Sequence, residues 1–115
     1  MTEQAFMRAL MPALVAALPI RIWRQNAGKF ETTRGHWVEG APKGAADLVG
    51  LVIAGQHKGR HLEIEVKGPK GRQTDEQRNW ERRIREFGGI YVVAQDDGSP
   101  AAVSRAVEAV ASAIR

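Results

Sequence analysis

Residues His61–Lys67, with the sequence HLEIEVK, alternate strictly between apolar and polar side chains. Because successive side chains of a β-strand point to opposite faces, the three apolar residues are expected on one face, and Glu63, Glu65 and Lys67 on the other. Two carboxylates and an ammonium group would then lie side by side. A half-exposed strand with a solvated charged face shows the same alternation, so this stretch predicts the strand and leaves the purpose of its polar face open.

A more apolar run precedes this strand, at residues 47–54 (DLVGLVIA). Its length and its content of Val, Leu and Ile are typical of a strand buried on both faces. Residues 55–59 (GQHKG) read as a hairpin loop, so the two runs are expected to pair antiparallel. Asp47 and Lys67 would then meet at the open end of the hairpin, with Glu65 nearby. Mg²⁺ or Mn²⁺ could bind there through oxygen ligands.

The N-terminal segment predicts a helix that begins at the capping residue Thr2. An apolar stripe recurs every four residues, at Phe6, Leu10, Leu14 and Leu18. Pro12 has no backbone N–H, so a kink or a break is expected there. Glu3 suits the first turn of the helix and precedes Phe6 by three residues, on the same face. Its carboxylate could reach the acidic site or be a plain surface acid.

The segment that follows is expected to form a strand at residues 20–25 and a turn at residues 26–28. Residues 32–38 could be the returning strand or a mobile loop. Cations and aromatic rings are interleaved along this region, which suits a nucleic-acid surface because cations meet phosphates and a ring can stack on an unpaired base. The alternative is an ordinary basic hairpin with Trp23 in the core.

The cations expected to meet nucleic acid lie in this region and in the loop after the charged strand. They are Arg24, Lys29, Arg34, Lys43, Lys70 and Arg72. The loop, residues 68–72 (GPKGR), follows the charged strand directly and could clamp a phosphate backbone.

The C-terminal half predicts a helix capped by Thr74 and ended by the glycines at 88–89. Residues 90–94 read as a buried strand parallel to the strand at 61–67, with that helix as the crossover. Residues 99–100 (SP) supply an N-cap and a first-turn proline for a last helix of purely scaffolding purpose. The expected fold class is α/β, with a mixed β-sheet flanked by helices.

Gln77 has two possible roles. As the third residue of the helix it fits a capping box with Thr74, so its side chain could simply reach back to the Thr74 amide. Three apolar residues, Trp80, Ile84 and Phe87, lie on the same face of the helix. A polar residue at the head of that stripe would instead point toward the sheet near Lys67.

Length and composition restrict the classes of protein to which this chain can belong. The chain has 115 residues, enough for one domain with one modest core. It has no cysteine, which excludes disulfides and Cys-based zinc sites and fits a reducing cytoplasm. Its formal charge of +4 suits a polyanionic partner. The longest apolar stretch near the N-terminus, residues 9–20, contains two prolines and is too short to span a bilayer, so no membrane partner is expected.

Three pieces of the chain together resemble a known family: residues 44–48 (GAADL), residues 63–67 (EIEVK) and Gln77 in the next helix. This pattern is similar to the VRR-NUC branch of the PD-(D/E)XK nuclease superfamily, and the similarity covers about residues 3–95. It implies a restriction-endonuclease-like core in a single nuclease domain over residues 1–115. The Pro-Asp pair for which the superfamily is named is Ala-Asp here.

The resemblance also implies a role for each residue of the site. The metal ligands would be Asp47, Glu65, the Val66 carbonyl and Glu3. Lys67 would lie beside the attacking water, and Gln77 would assist at the same site. The implied reaction is hydrolysis of DNA phosphodiester bonds with Mg²⁺ or Mn²⁺ as cofactor.

Stand-alone members of this family imply a homodimer that resolves branched DNA such as four-way (Holliday) junctions. One metal site hydrolyses one strand at a time, so paired cuts need a second copy, and small oligomers are most often two-fold symmetric dimers. Two rival hypotheses remain at this point. One is a nucleic-acid-binding module with the same fold and no cleavage activity, and the other is an enzyme acting on small phosphoesters, against which the extended cationic loops argue.

Overall fold

The structure, a computed structural model, describes residues 1–26 and 29–115, and of Lys29, Phe30 and Glu39 it describes the backbone alone. Ala27 and Gly28, in the turn expected at 26–28, lie outside the described residues. The elements along the chain are α1 (Glu3–Ala17), β1 (Ile20–Arg24), β2 (Lys29–Glu31), β3 (Trp37–Glu39), β4 (Leu48–Val52), β5 (His61–Lys67), α2 (Asp75–Glu86), β6 (Ile90–Gln95) and α3 (Ala102–Ile114).

Four strands form a mixed sheet in the order β1-β4-β5-β6. The β1–β4 and β4–β5 pairs are antiparallel, whereas β5 and β6 are parallel and are joined through α2. The expected mixed sheet, the hairpin before β5 and the helical crossover after it are therefore confirmed. This arrangement is consistent with a restriction-endonuclease-like core.

Five strands precede α2 in the described residues, and one of them, β2, was not expected from the sequence. β2 and β3 form a separate two-stranded antiparallel sheet. The returning strand begins at Trp37 rather than at Thr32, because Thr32 and His36 close the turn: the Thr32 N–H donates to the His36 carbonyl at 2.6 Å. Gly35 takes a left-handed φ of +79° inside that turn, a conformation that glycine adopts without steric cost.

The two faces of the sheet are covered by different helices. On one face α1 and α3 pack with the apolar side of the sheet in the main core, which includes Leu10 and Val110. On the other face α2 packs over β6 through Ile84, which contacts Tyr91 in a second, smaller cluster, and it reaches β5 through hydrogen bonds of Trp80 and Gln77. Because both faces of β5 are covered, the half-exposed strand is the wrong interpretation of the alternation. Glu63 and Glu65 are only 1% and 2% exposed.

Burial also differs from expectation along β4. The strand spans Leu48–Val52 and is shorter than the predicted 47–54. Leu51 is exposed, and Ile53 beyond the strand is exposed as well, so the strand is not buried on both faces throughout. Both residues lie on the half of the α2 face that no described helix covers.

The helix boundaries agree with the sequence in α1 and α2 and differ in α3. The expected cap of α1 forms, since Thr2 accepts from the Ala5 N–H at 3.0 Å. The helix does not break at Pro12, which lies exposed inside it. α3 begins at Ala102, and its expected Ser99 cap is wrong, because the Ser99 hydroxyl donates to Asp97 instead.

The C-terminal end of α2 is fixed by its two glycines. Gly89 donates its N–H to the Ile84 carbonyl at 2.8 Å, and Gly88 donates to the Arg85 carbonyl at 3.1 Å. This is the Schellman arrangement, which requires the left-handed φ of +89° found at Gly88. The predicted end of the helix is therefore confirmed.

Gly44 offers a test of how α2 is held against the turn before β4. It has a φ of +91°, and a Cβ built on it would lie 2.5 Å from the Glu76 carbonyl oxygen in α2. Gly44→Ala is expected to lower the unfolding free energy by several kcal/mol, because the left-handed conformation alone costs about 1–2 kcal/mol and the backbone clash adds to it. Urea unfolding followed by circular dichroism measures the change.

Gly55→Ala is the matched control. Gly55 has a similar φ of +89°, but a Cβ there would meet no atom within 4 Å. This variant is expected to lose only the conformational part, about 1–2 kcal/mol. Equal losses in the two variants would show that the turn at Gly44 is not packed against α2.

Candidate active site

The open end of the β4–β5 hairpin brings Asp47 to Glu65. β4 pairs with β5 in a register that places Leu48 opposite Ile64, and the same register places Asp47, one residue earlier, opposite Glu65. The Asp47 Oδ2 atom accepts the Val66 N–H at 2.8 Å. The Asp47 carbonyl accepts the Gln25 N–H at 2.8 Å. Asp47 is thus held from both neighbouring strands.

Glu65 lies buried between these groups and β6. Its Oε1 atom accepts the Tyr91 hydroxyl at 3.2 Å, and its Oε2 atom lies 3.8 Å from the Lys67 Nζ atom. Burial, followed by hydrogen bonding to Asp47 and the Asp47 charge, raises the pKa of Glu65 to about 8, against smaller opposing effects of Lys67 and Tyr91. Burial and the neighbouring Glu65 also raise the pKa of Tyr91, so its hydroxyl remains a donor.

Lys67 and Gln77 form the next contact of the site. The Gln77 Oε1 atom accepts the Lys67 ammonium at 2.8 Å and also the Thr74 N–H at 2.9 Å. The Gln77 N–H donates in turn to the Thr74 hydroxyl at 3.1 Å, which completes the capping box. The two roles weighed for Gln77 are therefore compatible: one oxygen caps α2 and holds Lys67.

The two further candidate metal ligands are the Val66 carbonyl and the Glu3 carboxylate. The N–H and C=O of a strand residue point to the same side, so the Val66 carbonyl points to the side where Asp47 accepts the Val66 N–H. Glu3 is exposed, and its Oε2 atom lies 4.0 Å from where a Cβ would sit on Gly68. Residues 1–26 and 29–115 contain no cluster of three or more acidic or histidine side chains that could hold a metal. Glu3 as a ligand stays a prediction.

Most of the expected nucleic-acid-binding cations are exposed in the part of the chain that the structure describes. Arg24, Arg34, Lys70 and Arg72 are exposed. Lys43 is exposed too, and its Nζ atom lies 3.3 Å from the Glu76 carboxylate. The side chain of Lys29 lies outside the described residues. Trp23 is 52% exposed, so the alternative that placed it in the core is wrong. Contact of these side chains with nucleic acid stays a prediction.

A polar network around Glu63 escaped the sequence analysis. Its carboxylate accepts from Trp80 Nε1 at 2.7 Å, from the Ala46 N–H at 3.3 Å and from Gln25 Nε2 at 3.5 Å, and it contacts His61 Nε2 at 2.7 Å. Gln25 Nε2 also donates to the Ala46 carbonyl at 3.0 Å. Glu63 and Gln25 thus hold both polar groups of the residue before Asp47.

Part of this network had a signal in the sequence. The alternation in β5 places His61 and Glu63 on the same face as Glu65. The apolar stripe of α2 directs Trp80 toward the sheet, and a buried indole N–H needs an acceptor. The participation of Gln25 had no local signal, because it depends on the pairing of β1 with β4, two strands that are distant in sequence.

The donor set at the hairpin end fits a hard divalent cation. Asp47 and Glu65 offer carboxylate oxygens and Val66 offers a carbonyl oxygen, the ligand types that Mg²⁺ and Mn²⁺ prefer. The two acids disfavour each other's charged form when no cation lies between them, and Asp47 accordingly contributes to the raised pKa of Glu65. The two acids and the carbonyl could therefore hold such an ion.

The raised pKa of Glu65 predicts how stability depends on pH without divalent ions. Between its ordinary value of 4.5 and about 8, the folded state holds a proton that the unfolded state has lost. The unfolding free energy is therefore expected to fall as pH rises through this window, by up to about 1.4 kcal/mol per pH unit from this group. Urea unfolding in a chelator at several pH values measures the slope.

Glu65→Gln removes the titrating group and is expected to flatten this slope. Glu86→Gln, at an exposed acid of α2, is the control and is expected to leave the slope as in the wild-type protein. Identical slopes for Glu65→Gln and the wild-type protein would contradict the burial of an acid at this point.

Comparison with known proteins identifies a family to which this chain is similar. The family model described as the VRR-NUC domain matches residues 13–97, which include β1, the β4–β5 hairpin, α2 and β6. A search of curated proteins found no match to the chain. Within the described residues, no helix is both long enough and apolar enough to cross a bilayer. Since the match covers most of its length, the chain belongs to the VRR-NUC domain family, a nuclease-type family.

Proposed function

We propose that this protein is an endonuclease that hydrolyses phosphodiester bonds of DNA with Mg²⁺ or Mn²⁺ as its cofactor. The observation that carries the proposal is the meeting of Asp47, Glu65 and Lys67 at one end of the β4–β5 hairpin. Asp47 accepts the Val66 N–H at 2.8 Å, and Glu65 lies 3.8 Å from the Lys67 ammonium. Two acids and a lysine that converge in this way suit phosphodiester hydrolysis better than a purely structural ion pair, because the acids cost stability when no cation is bound.

The cofactor would be held by the carboxylates of Asp47 and Glu65 and by the Val66 carbonyl. A bound divalent cation lowers the pKa of water and offsets negative charge on the phosphate oxygens. Tyr91 fixes one oxygen of Glu65 at 3.2 Å, which leaves the other oxygen directed toward Lys67. The orientation of the acid is thus set before substrate arrives.

Lys67 acts on the water and the phosphate. Its ammonium has three N–H groups, and Gln77 accepts one of them at 2.8 Å, which fixes the direction of the other two. These remaining donors can orient the attacking water and stabilise the charge that develops on the phosphate. Lysine suits this task as a compact charge, and its low exposure in this protein strengthens the electrostatic effect.

The DNA backbone would be held by the surface cations. Lys70 and Arg72 are exposed in the loop that directly follows β5, so they lie close in sequence to Lys67. Arg24 is the last residue of β1 and precedes Gln25, whose backbone N–H donates to the Asp47 carbonyl. Cations on both sides of the acids suit a phosphate backbone that crosses the site, since each contact releases counterions.

We propose further that the substrate is branched DNA, such as a four-way junction, and that the protein acts on it as a homodimer. The chain has one site of this kind in its described residues, and one site hydrolyses one strand at a time. A two-fold dimer presents two sites related by its axis, and a four-way junction has matching approximate symmetry.

The first test removes each group without disturbing its packing. Asp47→Asn keeps an acceptor for the Val66 N–H, Glu65→Gln keeps the shape of the acid, and Lys67→Met keeps the stem. Each is expected to lower the cleavage rate at least about a hundredfold in Mg²⁺ or Mn²⁺. The two acid variants are expected to bind Mn²⁺ more weakly in calorimetry, whereas Lys67→Met is expected to retain metal affinity.

Glu86→Gln and Lys58→Met, at exposed positions on α2 and on the β4–β5 loop, are the matched controls. Both are expected to cleave at the wild-type rate. Wild-type cleavage by Glu65→Gln would contradict the proposed site. DNA binding by the wild-type protein without cleavage in any divalent cation would favour the non-catalytic binding module.

The second test addresses the assembly and the substrate. Light scattering is expected to give the mass of two chains, and mapped nicks on a four-way junction are expected in pairs of strands placed symmetrically about the branch. A linear duplex of the same sequence is the control and is expected to be cut more slowly. A monomer that nicks the duplex as readily as the junction would contradict this part of the proposal and leave a general nuclease.

A further inference from the structure

A cavity opens beside the acids on the α2 face of the sheet. Its volume is about 350 Å³, within the range of about 300–1,000 Å³ found for small-molecule sites. The lining residues are Gln25, His61, Glu63, Trp80, Ile84, Phe87 and Gly89. The hydrolytic mechanism uses none of these side chains directly.

The strand register places this cavity next to the proposed catalytic centre. Glu63 lies on the same face of β5 as Glu65, and two residues along a strand span about 7 Å. Gln25, a second lining residue, follows β1, and its backbone N–H donates to the Asp47 carbonyl. A substrate strand held at the acids would therefore have an adjoining nucleotide within reach of the cavity.

The charge of the cavity decides which part of a nucleotide it could take. Its floor holds the Glu63 carboxylate, which is 1% exposed and accepts hydrogen bonds from its neighbours at each of its oxygens. No lysine or arginine is among the lining residues. A phosphate would meet a buried anion without a cation to offset it, so the cavity disfavours phosphate and suits an uncharged group.

The walls of the cavity suit a flat aromatic group. Phe87 was expected on the inward-facing stripe of α2, but the ring lies at the helix end and is 80% exposed. Trp80 presents a second ring, whose N–H is already taken by Glu63. Trp23, 52% exposed, lies on the same face of the sheet opposite Val49, in line with Glu63. Rings exposed in this way bind nucleobases by stacking, whatever the base.

We propose that this cavity binds an unpaired nucleobase of the DNA strand being cut, with Phe87 as the principal stacking residue. The proposal rests on the proposed function, because it assumes that DNA lies across Asp47 and Glu65. It also gives a physical reason for a preference for branched DNA that carries unpaired nucleotides, such as a fork: there an unpaired base is already available, whereas a linear duplex must first unpair and unstack one.

The test is a protein–DNA double-mutant cycle. The DNA is a fork with three unpaired nucleotides at the branch, offered intact or with each in turn replaced by an abasic residue. Affinity is measured by fluorescence anisotropy in Ca²⁺, a cation that takes oxygen ligands. Phe87→Ala is the variant, and Val15→Ala, a half-exposed apolar residue on α1 at the opposite face of the sheet, is the matched control.

On intact DNA, Phe87→Ala is expected to bind about tenfold more weakly, since stacking on one aromatic ring is worth about 5- to 150-fold in affinity. Removal of the base at one of the three positions is expected to weaken DNA binding by the wild-type protein by a similar factor. Phe87→Ala on that abasic DNA is expected to lose no more affinity than either change alone, because both changes remove the same contact. Val15→Ala is expected to bind like the wild-type protein.

Additive losses, or no loss on Phe87→Ala, would overturn the base-binding cavity. Cleavage of the intact fork by the wild-type protein in Mg²⁺ is measured alongside and tests the proposed function separately. Cleavage with additive losses would overturn the cavity alone. Non-additive losses without cleavage would uphold the cavity and overturn the nuclease.

Discussion

The antiparallel register between β4 and β5 is the constraint on which the rest of the structure depends. It sets Asp47 opposite Glu65 and brings the Asp47 carboxylate to the Val66 N–H. A shift of one residue would move every side chain of β5 to the other face and would place Leu62, Ile64 and Val66 under α2. The apolar core formed by these residues with α1 and α3 therefore fixes the position of the acids.

The acids cost stability, and the surrounding groups offset that cost. Glu65 and Glu63 are both buried on a single strand, and each receives hydrogen bonds from a different side: Tyr91 donates to Glu65, and Trp80 donates to Glu63. Buried carboxylates without such donors would destabilise the fold strongly. α2 contributes Trp80 and Gln77 together, so this helix both covers the acids and directs Lys67.

Much of the fold could be predicted because the signals were local. The alternation in β5, the apolar run of β4 and the capping box at Thr74 depend on neighbours within a few residues, and each is found in the structure. Asp47 and Glu65, which the sequence placed in one region, required only a short hairpin to lie opposite each other. The family resemblance then extended the site to Gln77, which does contact Lys67.

What the sequence could not predict depends on distant parts of the chain. The burial of Glu63 follows from α2 packing over β5, which the alternating pattern cannot distinguish from a solvated face. Phe87 matches the apolar period of α2, but the helix ends at this residue and its side chain is exposed. Ser99 has the chemistry of a cap, yet Asp97 competes for its hydroxyl.

We propose that Asp47 and Glu65 form a centre for a divalent cation. A crystal structure with Mn²⁺, recorded at a wavelength where manganese scatters anomalously, tests it most directly. An anomalous peak is expected in contact with carboxylate oxygens of both residues, and Glu65→Gln is expected to lose that peak. A structure with no peak there, or with its main peak between His61 and Glu63, would contradict the claim.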